Sequence, residues 1–336
     1  MGIIGMPGST GSNSRDGSPA DPVGDLDRAE EKYRRAIEAD PDDADALGDY
    51  ANFLADYRGD LDRAEEMYRR AIEADPDDSG GLGDYANFLA DDRGDLDRAE
   101  EVYRRAMEAD PGNSVNLGNY ASFLADDRGD LDRAEEMFER AIAVDPDDAA
   151  NLTSYATLLN DRGDFDRAEE MYRRAVAADP DDGDVLSDYA DFLTDTRKDH
   201  VRAEEMHRRA VDADPDNTTI LGGYANFLTN VLGDHDRAEE MYQRAVEADP
   251  DDTLVLSNYA DFLADAREDF DRAEEMHRRA VEADPDDDYV LGNYADFLVS
   301  ARGDRRRAKE VRRRAKEARR RDKEARRQAK AALKRR

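Results

Sequence analysis

From Leu26 onward, apolar residues return at helical spacing in two alternating stripes. In the first stripe Leu47, Tyr50, Ala51 and Leu54 follow at steps of three, one and three, and Phe53 widens the face. In the second, Leu61, Ala64, Met67, Tyr68, Ala71 and Ile72 do the same. Gly59 stands where the first helix should stop, Asp60 can cap the second, and Pro76 separates one unit from the next. Asp75 is the expected N-cap of the following helix, and Asp77 and Asp78 suit the positive end of its dipole. The predicted unit is a helical hairpin.

The hairpin recurs along the chain. Asp-Pro pairs begin at Asp40, Asp75, Asp110, Asp145, Asp179, Asp214, Asp249 and Asp284, 35 residues apart except for one step of 34. Two helices in a period of that length predict a solenoid. First helices are expected near residues 43–57, 78–92, 114–127, 149–161, 183–196, 218–231, 253–266 and 288–301, each followed by a second helix. Residues 25–39 carry a second-type stripe of Leu26, Ala29, Tyr33, Ala36 and Ile37 with no first helix before it. Lys32 takes the place that Met67, Val102 and Met137 hold in later units, so this helix reads as an N-terminal cap with one wet side. The expected division is a disordered Gly-, Ser- and Pro-rich leader over 1–22, a repeat array over 23–304, and a basic helical tail over 305–336 that completes the last hairpin.

These units resemble the tetratricopeptide repeat, whose pattern is matched at Leu47, Tyr50, Ala51, Leu54, Ala64, Tyr68 and Pro76. Between Leu54 and Ala64 the unit has one residue more than the family pattern, which should lengthen the first helix or its turn. The fourth unit, Leu159 to Ala168, lacks that residue. The resemblance spans roughly residues 24–316. It implies an all-α, right-handed superhelical solenoid serving as a non-enzymatic protein-interaction scaffold.

The resemblance also implies a concave groove lined by the first helices. Carried onto the first full unit, its lining is Asp45, Gly48, Asn52, Ala55 and Asp56. The third of these recurs as Asn87, Ser122, Thr157, Asp191, Asn226, Asp261 and Asp296, the last as Asp91, Asp126, Asp195, Asn230 and Asp265. Asparagine can hold an extended peptide backbone through both its carbonyl and its amide, and acidic neighbours select a basic one. Family members that clamp an acidic C-terminal tail place cations in the groove. Gly48, Gly83, Gly118, Asp56 and Asp91 stand there instead, which argues against that subclass.

Packing and turn chemistry add detail. Ala51, Ala64 and Ala71 recur where small side chains let helices approach. Glu65 with Arg69 and Glu66 with Arg70 have the four-residue spacing of surface ion pairs worth about 0.2–0.5 kcal/mol each. Ser79, Gly80 and Gly81 weaken one helix start, and Lys198 and Glu268 replace the terminating glycine at a turn that favours positive φ.

Charge is divided unevenly. The net charge is −34, yet residues 302–336 carry +14, leaving −48 on residues 1–301. Such a body should repel nucleic acid and attract cationic partners. With no cysteine, disulfides, thiol catalysis and cysteine metal sites are excluded. No apolar run approaches membrane-spanning length, so a cytoplasmic protein without membrane insertion is expected.

No catalytic residue, cofactor or metal site is expected, because the carboxylates recur in every unit at solvent-facing spacing. His207 and His277 occupy the place of Tyr68, and His200 and His235 that of Leu61, so they read as core substitutions. No two share the i, i+4 spacing of a helical metal pair.

In the tail, Ala308, Val311 and Ala315 align with Ala64, Met67 and Ala71, whereas Arg312 and Lys316 replace Tyr68 and Ile72. Arg312, Arg313, Arg314, Lys316, Arg319, Arg320 and Arg321 form its basic set. Three readings stay open: a solvated cap, nucleic-acid contact as the alternative function, or contact with an acidic surface, a second copy included. A break near Asp322 would let the tail fold back, whereas a stiff helix would favour contact between molecules.

Overall fold

The computed structural model describes the backbone from Pro22 to Leu333 and the side chains of residues 26–321 and Lys323. The expected leader, apart from Pro22, lies outside the described residues. Those residues form seventeen α-helices and no strand. They fall into two compact units, one ending at Pro146 and the other starting at Asp147.

In the first unit α1 (Pro22–Ala39) precedes three hairpins: α2 (Ala44–Asp56) with α3 (Leu61–Ala74), α4 (Ser79–Asp91) with α5 (Leu96–Ala109), and α6 (Ser114–Asp126) with α7 (Leu131–Val144). The second unit holds five hairpins. They are α8 (Ala149–Asp161) with α9 (Phe165–Ala178), α10 (Gly183–Phe192) with α11 (His200–Ala213), and α12 (Thr218–Phe227) with α13 (His235–Ala248). Then come α14 (Thr253–Asp265) with α15 (Phe270–Ala283) and α16 (Asp288–Ser300) with α17 (Arg305–Leu333).

Aspartates set the helix starts. Asp60 accepts a bond from the Arg63 amide, as expected. At the other junction Asp78, not Asp75, is the cap: it accepts from the amides of Gly80 at 3.0 Å and Gly81 at 3.1 Å. Asp75 instead ends α3 and takes the Asp77 amide at 3.2 Å, an Asx turn that stabilises the bend before the helix. The Ser79 start is also better supported than its glycines suggest. The Ser79 carbonyl accepts from Asn116 Nδ2 at 2.7 Å, and a Cβ on Gly83 would collide with the same Asn116. Gly83 is therefore covered by a neighbouring helix rather than open as a groove vacancy.

The extra residue of the repeat lies in the turn. Helices α2 and α8 are both 13 residues long, although only the first belongs to a 35-residue unit. After α2 the Asp60 amide reaches six residues back to the Leu54 carbonyl at 2.9 Å, whereas after α8 Asp164 reaches five back to Leu159 at 2.9 Å, closing a tighter turn. In two units the widened end is a π turn, Leu193–Arg197 and Leu228–Leu232. Lys198 and Glu268 adopt φ of 57° and 55°, where other units place glycine.

Within each unit every second helix packs on its own first helix and on the next first helix, and successive first helices touch. Leu47, Ala51, Leu54 and Ala64 are fully buried there. Each unit is thus an all-α solenoid. On α1, Tyr33 stacks on Tyr50 and tilts against Phe53, while Lys32 is exposed where Met67 is buried.

Candidate interaction surface

The carboxylates divide into two populations. The first fills the seams between hairpins. Glu65 is 5% exposed, and it accepts from Arg69 on its own helix, Arg93 Nε at 2.8 Å and Arg98 Nη2 at 2.9 Å across the seam. The group recurs as Glu30 with Arg58 and Arg63, Glu100 with Arg128 and Arg133, and Glu169 with Arg197 and Arg202. Glu274 holds Arg302 and Arg307 in the same way. Burial alone would raise the pKa of Glu65, but hydrogen bonds from Arg93 and Arg98 outweigh it and hold the carboxyl below its ordinary range.

This corrects the surface-pair expectation for Glu65, whose main partners lie in the next hairpin. The expected pairing of Glu66 with Arg70 is also replaced: Arg70 donates to the Pro41 carbonyl at 3.0 Å. One seam is incomplete. Leu232 stands in the place of Arg58, and Glu204 keeps Arg237 at 2.9 Å with its side chain 32% exposed, against 6% for Glu65.

The second population lies along the first helices. Asp56, Asp91, Asp126, Asp195, Asn230, Asp265 and Asp296 are exposed. Asn52, Asn87 and Asn226 are half-buried, and each accepts a hydrogen bond from a second-helix tyrosine; Tyr242 reaches Asn226 Oδ1 at 2.6 Å. One acceptor of each amide is thereby committed inside the hairpin. Where Asn becomes aspartate, the partner changes too. Asp191 faces His207, Asp261 faces His277, and Asp296 accepts from Arg312 Nη2 at 2.6 Å.

Both histidines are fully buried, stacked on Tyr224 and Tyr294, and neither ring nitrogen has a hydrogen-bond partner. Their Nε2 atoms lie 3.8 Å and 3.7 Å from the carboxylates, beyond hydrogen-bond reach. Core substitution accounts for their burial but misses what they face. The sequence held the signal: His207 and His277 follow Asp191 and Asp261 by the same 16 residues that separate Tyr68 from Asn52.

Repulsion and poor hydration mark Asp191 and Asp261. The carboxyl of Asp191 is pushed up to about 6, first by burial of its surroundings and then by the charges of Asp188 and Asp195. Asp261 also rises to about 6, by burial and then by Asp265. Both side chains are still more than half exposed, because water reaches them from one side while helices crowd the others. Burial lowers His207 and His277 to about 4, leaving them neutral at pH 7. Beside Asp261 a recess of about 550 Å³ is lined by Asp265, Glu268, Asn293, Asp296 and Ser300.

The tail begins as the last second helix. Ala308, Val311, Ala315 and Ala318 are buried, and Arg312, Arg319 and Arg321 pair with Asp296, Asp288 and Asp286. Arg314 donates to the Pro285 carbonyl at 3.4 Å, and Arg313, Lys316 and Arg320 are exposed. The helix runs unbroken through residue 322, so the hinge considered there is absent from the described backbone. Arg305, Arg306, Lys309, Arg313 and Lys316 line a recess of about 720 Å³ beside Val299. Among the described residues no group of three His, Cys, Asp or Glu side chains could hold a metal ion, and no helix is long and apolar enough to cross a membrane.

Tetratricopeptide repeat family profiles match residues 23–80, 54–114 and 124–284. The chain belongs to the tetratricopeptide repeat family. No curated protein matches it. Among solved structures, yeast Tom70 is similar at 19% identity with a TM-score of 0.67, covering 86% of this chain and 60% of Tom70. This chain thus corresponds to less than two thirds of that protein. A monomeric IFIT1 mutant with m7Gppp-AAAA gives 17% identity and a TM-score of 0.56 over 88% of this chain and 68% of IFIT1. A tetratricopeptide repeat protein of Parabacteroides merdae gives 17% and 0.54 over 76% of this chain and 99% of its own. At these identities the likeness shows the fold alone.

Proposed function

We propose that the chain is a non-enzymatic protein-interaction scaffold whose first-helix surface binds basic or extended peptide segments. The observation that carries this reading is the contrast between the two carboxylate populations. Seam carboxylates such as Glu65 and Glu169 are held by arginines and titrate low, whereas Asp84, Asp188, Asp191 and Asp261 are crowded, poorly hydrated and titrate high. A surface holding unneutralised charge gains from an incoming cation what the seams already have internally. Asparagines along the same row can still offer amide hydrogens to a peptide carbonyl.

Fluorescence anisotropy with an alternating Arg/Ser decapeptide and its Glu/Ser counterpart tests the reading. Binding of the first alone, weakening with salt, is expected; equal binding of both, or none, overturns it. A second reading uses the basic recess at Arg305, Arg306, Lys309 and Lys316 for a nucleic-acid phosphate backbone. Removing the tail would strip α16 of its partner helix, so the suitable variant is Arg313→Glu with Lys316→Glu. Salt-dependent RNA binding lost in that variant would favour this reading over the scaffold. Docking of the continuous tail helix on a second copy is a further element of the proposal, checked by particle mass against salt.

A further inference from the structure

We infer that Asp191 and Asp261 are discrete subsites that each take one Lys or Arg side chain, while the equivalent Asn52, Asn87 and Asn226 are not cation sites. This rests on the scaffold reading above and assigns its specificity to two places in the second unit.

The argument starts from what stands behind each position. Behind Asn226, the Tyr242 hydroxyl donates to the side-chain oxygen at 2.6 Å, so that oxygen is used internally. Behind Asp191 and Asp261 the tyrosine is replaced by His207 and His277, which are 0% exposed and have both ring nitrogens unpartnered. Each aims Nε2 at the carboxylate from 3.8 Å and 3.7 Å, too far for a hydrogen bond. The carboxylates thus keep their acceptor capacity for something on the solvent side. A buried polar ring left unsatisfied costs free energy, and a small shift of the carboxylate on ligation would bring Nε2–H within bonding distance.

The eighth hairpin shows such a ligation completed. Asp296 occupies the same place as Asp191 and Asp261, and the partner position behind it holds Arg312. The Arg312 guanidinium donates to Asp296 Oδ1 at 2.6 Å, a charge-assisted contact supplied by the chain itself. In the fifth and seventh places of this pattern no such internal cation exists: His207 and His277 are neutral, and the open recess beside Asp261 leaves room for one to enter from outside.

The test exchanges the couples for one the chain already uses. Asp191→Asn with His207→Tyr, and Asp261→Asn with His277→Tyr, reproduce the Asn52–Tyr68 pair and its packing. Each exchange should weaken binding of the Arg/Ser decapeptide by about two- to fivefold, the upper part of the range for a partly exposed charge pair. The reverse exchange, Asn52→Asp with Tyr68→His, should strengthen it. Asp212→Asn, which removes one exposed charge from α11 and touches no couple, should change affinity by less than about twofold. Equal weakening by Asp212→Asn and by the exchanges would overturn the subsites yet leave an acidic binding surface. If the native protein does not bind the decapeptide, the subsites and the scaffold reading fall together.

Discussion

Glu65 and Arg93 are 28 residues apart in the chain, and their side chains meet at 2.8 Å across the seam between two hairpins. Arg93 also lies over the Phe88 ring, 5.9 Å from its centre, so one guanidinium joins the polar and the aromatic parts of the seam. The neighbouring Glu66, one residue away on α3, is exposed. Adjacent residues in the same acidic pair therefore do different work.

Glu65→Ala should destabilise the first unit by about 1–3 kcal/mol, because it leaves Arg93 and Arg98 with only the more exposed carboxylates of Asp62 and Asp95. Glu66→Ala should cost less than about 0.5 kcal/mol, as for other exposed sites. Urea unfolding of both variants checks this, and similar costs for the two would show that the seam is not structural.

How far the chain could be read beforehand follows from the range of each interaction. Helix limits were legible because Asp60, Gly59 and Pro76 act on backbone within a few residues. The seam was not, because Glu65 has Arg69 at the spacing that local rules reward, and its other partners sit 28 and 33 residues on. Perfect repetition concealed the link further, since a residue that never varies cannot reveal its partner. The exceptions are where the information lay. Leu232 interrupts the arginine series, and Asp191 with His207 and Asp261 with His277 interrupt the Asn–Tyr series as pairs.

The interrupted seam gives a second prediction. Leu232→Arg places a guanidinium where Arg58 and Arg93 bind their glutamates, within reach of the half-paired Glu204. A gain of about 0.5–1 kcal/mol is expected. Val201, 82% exposed, fills the aspartate place corresponding to Asp62. Adding Val201→Asp should contribute little, since that partner is open to solvent. A double-mutant cycle in urea measures both terms, and a loss of stability in Leu232→Arg would count against the seam geometry.

Backbone conformation supplies the third. Lys198 and Glu268 hold φ of 57° and 55° without the freedom of glycine. Lys198→Gly and Glu268→Gly should each stabilise the second unit by about 0.5–1 kcal/mol, the strain relieved exceeding the entropy glycine adds to the unfolded chain. Thermal unfolding should show the two gains adding, because the sites lie in different hairpins. Lower midpoints would mean that the side chains contribute contacts outweighing the strain.

The last prediction concerns pH and the His207–Asp191 couple. Burial lowers His207 from 6.5 to about 4, so the unfolded chain takes up this proton first and stability from this group falls as pH drops from 6.5 to 4. Asp191 is raised from 3.8 to about 6, so here the folded chain takes up the proton first and stability rises as pH drops from 6 to 3.8. The windows overlap and the signs oppose. In the intact couple one proton enters near pH 6 in either state, on the carboxylate when folded and on the imidazole when unfolded, so the couple is nearly silent in acid. Asp191→Asn removes the compensating half. Its stability should fall relative to the native protein by up to about 1.4 kcal/mol per pH unit between pH 6.5 and 4, the slope for one proton bound only by the unfolded state. Asp191→Asn with His207→Tyr removes both halves and should return to the native slope. Urea unfolding from pH 4.5 to 7 at constant ionic strength separates these cases, and parallel curves for the native protein and Asp191→Asn would show that the buried imidazole is not withheld from protons by the fold.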